Sequence, residues 1–238
     1  SLFNNLRPQN VTGMDITGLS LTTVFHVLNA RELVSKLKAG SKPLIIVGGP
    51  ISQIPELVFR SLPEIDVVVI GEGEETAPEL VEALKMKKDL EEINGISFKH
   101  DNEMVKTPSR KPASLDGQAL PEIPRDIGRQ DIRGANVYVE THRGCLGNCS
   151  FCQVPCFFSH EIRSRPVNDI VVEIKAFIKA GARKIALFGG TSTQYGCKGS
   201  RLTDEEFITM LKEVSRITGS YNLSVPDLRV DMVNETVL

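Results

Sequence analysis

Short apolar runs alternate, over the first hundred residues, with segments whose apolar positions recur at helical spacing. Asp15 to Leu21 (DITGLSL) reads as a buried strand, and Val24 to Lys38 as a helix that Gly40 is placed to stop. Leu44 to Val47 (LIIV) is a continuous apolar run closed by Gly48-Gly49-Pro50. Glu56 to Ser61 reads as a short helix. Val67 to Ile70 (VVVI) is another apolar run, closed by Gly71-Glu72-Gly73-Glu74, and Thr76 to Lys85 is helical again. Apolar strands set between amphipathic helices predict a parallel sheet covered on both faces. Gly95 to Lys99 and Met104 to Thr107 predict a hairpin around Asp101-Asn102.

From Ser109 to Gly134 the periodicity fades, and Pro112, Pro121 and Pro124 interrupt the chain with several glycines. This composition predicts a linker. The expected organisation is therefore a first domain over 1–108, a linker over 109–135 and a second domain over 136–238. In that second domain the βα alternation restarts. Val137 to Glu140 is a strand running into a cysteine-rich loop. Pro166 suits the first turn of a helix reaching about Ala180, with Gly181 just past its end. Lys184 to Phe188 is a strand ending in Gly189-Gly190. Thr203-Asp204-Glu205-Glu206 forms a capping box for a helix to about Ile217, and Leu228 to Met232 reads as a third strand.

Residues 136–238 are too few for a closed (β/α) barrel, which takes about 200. The second domain is thus expected to hold only the opening units of a barrel. No strand and helix are visible before Asp15, so the first domain is expected to lack its opening elements too.

Composition narrows the chemistry. With Lys+Arg at 28 against Asp+Glu at 30, the chain has no global basic field to hold a polyanion, so nucleic acid is not the expected ligand. No apolar run approaches a membrane span, and the N-terminus lacks the basic start and apolar core of a signal peptide. A cytoplasmic location is expected. The five cysteines are Cys145, Cys149, Cys152, Cys156 and Cys197. An odd number with four clustered makes a poor disulfide framework, and in a reducing compartment the cluster reads first as a metal site.

The loop runs Arg143-Gly144-Cys145-Leu146-Gly147-Asn148-Cys149-Ser150-Phe151-Cys152, with C-x3-C-x2-C spacing at the end of a strand. Thiolates suit iron–sulfur clusters and zinc. Three of them can hold three irons of a [4Fe–4S] cluster and leave the fourth open. Gly144 and Gly147 let the backbone wrap tightly. The competing reading is a structural zinc site on Cys145, Cys149, Cys152 and Cys156, but zinc ligands usually come as two separated pairs and no second pair is visible.

This stretch resembles the signature of the radical S-adenosylmethionine (radical SAM) superfamily, C-x3-C-x-aromatic-C, with Phe151 at the aromatic position. The resemblance implies Cys145, Cys149 and Cys152 as cluster ligands and an open iron that binds the amino and carboxylate groups of S-adenosylmethionine. It implies Phe151 near the adenine. It also implies cofactor contacts from Gly189 and Gly190, although Thr191 stands where relatives carry an acid. Ser224 and Arg229, in Ser224-Val225-Pro226-Asp227-Leu228-Arg229, resemble a segment near the ribose and carboxylate. Cys156 and Cys197 have bland readings, as a bystander and a loop residue.

In the first domain, three strand-end turns resemble the cobalamin-binding domain that precedes the radical SAM domain in one subfamily. Ser20 and Thr22 with Gly48 and Gly49 would line the pocket for the nucleotide tail, and Gly71, Glu72 and Gly73 would border it. The cobalt-ligating motif Asp-x-His-x-x-Gly is absent, and His26 has the wrong neighbours to replace it. Methylthiotransferases are the near alternative in the superfamily. Their first domain brings three cysteines, and none precedes Cys145 here.

The expected fold is α/β: a Rossmann-like, flavodoxin-like domain of the cobalamin-binding type, then the first βα units of a radical SAM partial TIM barrel. The expected cofactors are a [4Fe–4S] cluster, S-adenosylmethionine and cobalamin. The expected activity is reductive cleavage of S-adenosylmethionine, with methyl transfer as one outcome, acting on a small molecule or peptide. A reductant such as ferredoxin or flavodoxin is the expected partner. Two alternatives stand beside this: a radical SAM enzyme whose first domain binds no cobalamin, and a non-catalytic metal-binding module.

Overall fold

The structure is a computed structural model that describes residues 14–101, 103–199 and 204–237. It divides into two compact units, Ser1–Ala113 and Ser114–Leu238.

In the first unit, β1 (Ile16–Ser20) leads into α1 (Val24–Ala39), β2 (Leu44–Gly48), α2 (Pro55–Ser61), β3 (Val67–Val69) and α3 (Gly73–Met86). A hairpin of β4 (Ile96–His100) and β5 (Glu103–Lys106) completes a sheet of order β1-β2-β3-β4-β5. β1, β2 and β3 pair in parallel, whereas β4 runs antiparallel to both neighbours. The sheet is therefore mixed: the tight hairpin returns β5 antiparallel to β4, while the chain leaving α3 enters β4 antiparallel to β3. Alternate residues divide between two cores. Ile45, Val47 and Val68 are buried with Val27, Val34, Leu37 and Phe59 of α1 and α2, while Ile46, Val67 and Val69 are buried with Leu80 and Ala83 of α3. Both faces of the short strands are thus dry, which is why they read as continuous apolar runs.

Local chemistry sets the helix ends. Thr23 caps α1, its side chain accepting from the His26 amide, and Gly40 at the C-cap donates its amide to the Lys36 and Leu37 carbonyls. α3 begins at Gly73, three residues before the expected start. Glu74 and Glu75 fall in its first turn, where acidic side chains favour the helix dipole.

In the second unit, β6 (Val137–Glu140) is followed by β7 (His142–Arg143), α4 (Val154–Phe158), β8 (Arg163–Ser164), α5 (Val167–Lys179), β9 (Ile185–Phe188), α6 (Asp204–Thr218) and β10 (Leu223–Ser224). β6, β9 and β10 form a parallel sheet in chain order, the arrangement of the opening strands of a βα barrel. Val137, Val139, Ile185 and Leu187 pack against Ile170, Ile174 and Phe177 of α5 and Phe207, Met210 and Val214 of α6. Tyr138, Glu140, Ala186 and Phe188 share the opposite face by register, with the Tyr138 and Phe188 rings 6.3 Å apart.

Two expectations are revised. The segment 109–135 does not run free between domains. Leu115, Ile127 and Ala135 are buried, and Ile127 belongs to the core of the second unit. Gly128 lies so close to Gly181 that a Cβ would stand 2.6 Å from its carbonyl oxygen. The third strand is Leu223–Ser224, not Leu228 to Met232. The alternation of Leu228, Val230 and Met232 mimics a strand, but Leu228 and Val230 are exposed and residues 230–232 form a 3-10 turn. Pro226 cannot donate to a ladder, and it precedes that stretch. The capping residue Thr203 lies outside the described residues.

Candidate functional site

The cysteine loop leaves the C-terminal end of β6 and is closed at its base by a two-residue ladder. His142 pairs with Ser164 and Arg143 with Arg163, antiparallel. Between them the Cys145 amide donates to the Ser159 carbonyl at 3.3 Å, and the Cys152 amide to the Cys149 carbonyl at 3.0 Å. Gly144 has φ +92°, and a Cβ there would collide with the Glu161 carbonyl. Only glycine lets the two limbs of the loop meet.

The strand-end turn after β9 presses on the same loop. A Cβ on Gly189 would overlap the His142 ring. One on Gly190 would strike the Gly144 carbonyl oxygen and crowd Cys145 Cβ at 3.0 Å. Thr191 follows, with its hydroxyl 3.8 Å from Cys145 Sγ. Gln194, fully buried, accepts the Leu146 amide on Oε1 at 3.2 Å, and its Nε2 lies 3.7 Å from Met232 Sδ. The turn thus fixes the cysteine loop by shape and by hydrogen bonds.

All five cysteines are free thiols: Cys145 and Cys197 buried, Cys152 partly buried, Cys149 and Cys156 exposed. Gly147 sits between two of them. A Cβ there would stand 3.3 Å from Cys145 Sγ and 4.0 Å from Cys149 Sγ, and the Gly147 amide donates to Cys145 Sγ at 3.4 Å. Soft thiol donors beside a backbone amide are the chemistry an iron–sulfur cluster takes. Among the described residues no three His, Cys, Asp or Glu side chains converge as they would around one metal ion.

Arg229 comes up against the same turn, its Nη1 3.1 Å from the Gly147 Cβ position, while two other guanidinium nitrogens grip Asp231 at 3.0 and 2.6 Å. That pairing raises the Arg229 pKa and lowers that of Asp231. His142 is buried, with no hydrogen-bond partner on Nε2. Burial depresses its pKa to about 4, against a contact with the Thr191 backbone that acts the other way. Tyr195, edge-on to His142, is pushed up to about 12 by burial and the nearby Glu206 charge, with Arg165 opposing.

Of the residues expected from the sequence, the structure brings Cys145, Cys149, Gly190 and Arg229 together around Gly144 and Gly147, with Gly189 against the His142 ring. Phe151, expected beside the adenine, is 88% exposed. Ser224 is exposed on β10, paired with Ala186. Cys197 lies in the later loop, its thiol donating to the Gly199 carbonyl at 3.4 Å, with its pKa raised by burial. His142, Thr191 and Gln194 were not expected. Only Thr191, adjoining the glycine pair, carried a sequence signal.

In the first unit, the expected turns stand at the C-terminal ends of successive parallel strands, where open α/β sheets bind ligands. Ser20 ends β1, and the exposed Thr22 hydroxyl lies 2.7 Å from His26 Nδ1. Gly49 has φ +90°, and a Cβ there would stand 2.7 Å from the Leu21 carbonyl oxygen. Gly71 also has positive φ, whereas Gly48 and Gly73 have neither strain nor a neighbour closer than 3.9 Å. A Cβ at either would make only ordinary van der Waals contacts. Glu72 stands at the N-cap of α3.

These features define a two-unit α/β protein with a Rossmann-like sheet ahead of opening barrel strands that carry a cysteine loop. The B12 binding domain model matches residues 10–81, and the radical SAM superfamily model matches residues 139–235. The chain therefore carries a radical SAM domain with a B12-binding domain ahead of it; the former implies a [4Fe–4S] cluster and S-adenosylmethionine as cofactors, and the latter supports cobalamin. It is 45% identical to a putative methylthiotransferase of Methanocaldococcus jannaschii, over 94% of this chain and 48% of the relative. It is 33% identical to a tRNA-2-methylthio-N(6)-dimethylallyladenosine synthase of Geotalea uraniireducens, over 75% of this chain and 36% of that one. The chain spans about half the length of the curated relatives it matches.

Its fold is similar to that of the radical S-adenosylmethionine methyltransferase TsrM from Kitasatospora setae, with TM-score 0.65 at 16% identity, covering 94% of this chain and 44% of that one. It is also similar to the cobalamin-dependent S-adenosylmethionine radical enzyme OxsB, with TM-score 0.64 at 22% identity, covering 85% of this chain and 28% of that one. Among the described residues no helix is long and apolar enough to cross a membrane.

Proposed function

We propose that Cys145, Cys149 and Cys152 hold a [4Fe–4S] cluster, that the chain is part of a radical SAM enzyme, and that its first unit takes cobalamin. The observation that supports this best is the turn at Gly147, where two thiols and a backbone amide come together. Bound there, the cluster supplies the electron that cleaves S-adenosylmethionine to methionine and a 5′-deoxyadenosyl radical. The chain's own residues do the placing. Gly144 and Gly190 allow the cysteine loop to lie against the β9 turn, and Gln194 holds its backbone. Arg229, oriented by Asp231, offers a guanidinium beside the thiols for a carboxylate group. Cobalamin would lie at the strand ends of the first unit, against Gly48, Gly49, Gly71 and Gly73 and beside Ser20, Thr22 and Glu72. Electrons would come from a small reductant such as ferredoxin or flavodoxin.

A second reading, sulfur insertion, is favoured by the similarity to a putative methylthiotransferase and a tRNA-2-methylthio-N(6)-dimethylallyladenosine synthase. Against it stands the absence of any cysteine from residues 1–144, where that chemistry would need a second cluster. Anaerobic reconstitution with iron and sulfide, followed by EPR of the reduced protein with and without S-adenosylmethionine, tests the main reading. A [4Fe–4S]⁺ signal that changes with S-adenosylmethionine is expected, together with a cobalamin absorption band retained after desalting. Zinc without sulfide would overturn the cluster. A cluster with no retained cobalamin would reduce the proposal to a radical SAM enzyme alone.

A further inference from the structure

We propose that the Thr191 hydroxyl donates a hydrogen bond to Cys145 Sγ and so sets the reduction potential of the cluster that Cys145 holds. The inference rests on the reading of Cys145 as a cluster ligand. Thr191 and Cys145 are both buried, at 6% and 8% exposure, and their Oγ1 and Sγ atoms are 3.8 Å apart. Among the described residues, Cys145 Sγ is the hydroxyl's one hydrogen-bond partner. The approach depends on Gly190, whose missing side chain lets the turn lie against Gly144 and Cys145.

A free thiol and a hydroxyl can each donate to the other. A cysteine bound to iron is a thiolate and can only accept, so the hydroxyl must donate. The Gly147 amide, 3.4 Å away, is a second donor to the same sulfur. Adding one electron to a cluster increases the negative charge on its sulfurs. Donors aimed at a sulfur therefore favour the reduced form and raise the potential. In a site this dry the effect is stronger than it would be in water. Cys149 is exposed, so the protected, doubly bonded sulfur is that of Cys145.

The test is a potentiometric titration of the reconstituted 238-residue chain, with dithionite as reductant, redox mediators and EPR detection, in the absence of S-adenosylmethionine. Thr191→Val keeps the shape and removes the donor. Its reduction equilibrium constant is expected to fall about threefold, which is about 28 mV more negative for a one-electron couple. Thr191→Ala, the alternative if valine does not fold, should shift the same way. Thr191→Ser should restore the wild-type value. Thr193→Val, two residues along the same turn, should leave it unchanged. An unchanged potential in Thr191→Val, or an equal shift in Thr193→Val, would overturn the proposal. Iron and sulfide content judges the underlying reading separately. If wild type assembles no cluster, or Cys145→Ala keeps a full one, that reading fails and this inference with it.

Discussion

His142 makes the stability of the second unit depend on pH. It is buried, its Nε2 has no partner, and burial holds its pKa at about 4 against the ordinary 6.5. Around it stand Thr141, whose hydroxyl lies 3.0 Å from Nδ1, the Tyr195 ring, Gly189 and the Thr191 backbone. Thr141, Gly189 and Thr191 carry no charge, and Tyr195 stays neutral in this range. Between pH 6.5 and 4 the unfolded chain binds a proton at His142 that the folded chain does not. Stability therefore falls as pH falls through this window. From pH 7 to pH 5 the loss works out at about 2 kcal/mol, and below pH 4 it reaches about 3 kcal/mol. The assay is urea unfolding of the apo chain, followed by tyrosine emission. The chain has no tryptophan, and Tyr138, Tyr195 and Tyr221 all lie in the second unit, so the signal reports that unit. His142→Gln should remove about 2 kcal/mol from the difference between pH 7 and pH 5. If the variant keeps the wild-type slope, the imidazole is not held neutral by burial and the reasoning is wrong.

Three further outcomes follow from the packing around the loop. Gly190→Ala should displace the cysteine loop, since its Cβ would strike the Gly144 carbonyl; unfolding should show a loss of about 1–3 kcal/mol and reconstitution should take up less iron. Gly48→Ala, with nothing closer than 3.9 Å, should change stability by less than about 0.5 kcal/mol in the same assay format followed by circular dichroism. Glu173→Gln breaks the buried pair with Arg165, 2.6 Å apart with both side chains 8% exposed, and should destabilise the second unit by about 3 kcal/mol in urea unfolding.

The runs LIIV and VVVI were legible because both faces of those strands are buried, so no polar residue interrupts them. The C-x3-C-x2-C loop was legible because spacing alone places soft donors within one short turn. Leu228, Val230 and Met232 misled for the opposite reason. Alternation at period two records only the local pattern, and Leu223–Ser224 wins the pairing with β9 by position after α6, not by composition. The segment 109–135 looked like a linker because proline and glycine suppress periodicity. Ile127 is nonetheless buried through contacts far along the chain, which no local pattern records. Phe151 was placed beside the adenine by resemblance alone, since no local pattern in the sequence gives an exposed ring a ligand.

The glycines near the cysteines show where sequence and structure divide the work. All look alike in the sequence, yet each is required for a different contact. Gly144 is demanded by a positive φ and the Glu161 carbonyl, Gly190 by the Gly144 carbonyl, and Gly189 by the His142 ring. Gly147 is demanded by none of these, since its nearest neighbours are the Arg229 guanidinium and two thiols. Three glycines therefore assemble the loop, and the fourth lets a guanidinium and a thiol crowd its backbone. The cysteines determine which donors are available. The residues that meet them across those glycines, Thr191, Gln194 and Arg229 with Asp231, determine the polarity around the thiols. The Cys145 sulfur, for one, faces the Thr191 hydroxyl and the Gly147 amide. Redox behaviour should accordingly follow the β9 turn as closely as it follows the cysteine spacing, because hydrogen bonds to the sulfurs act on the same charge that the ligands hold.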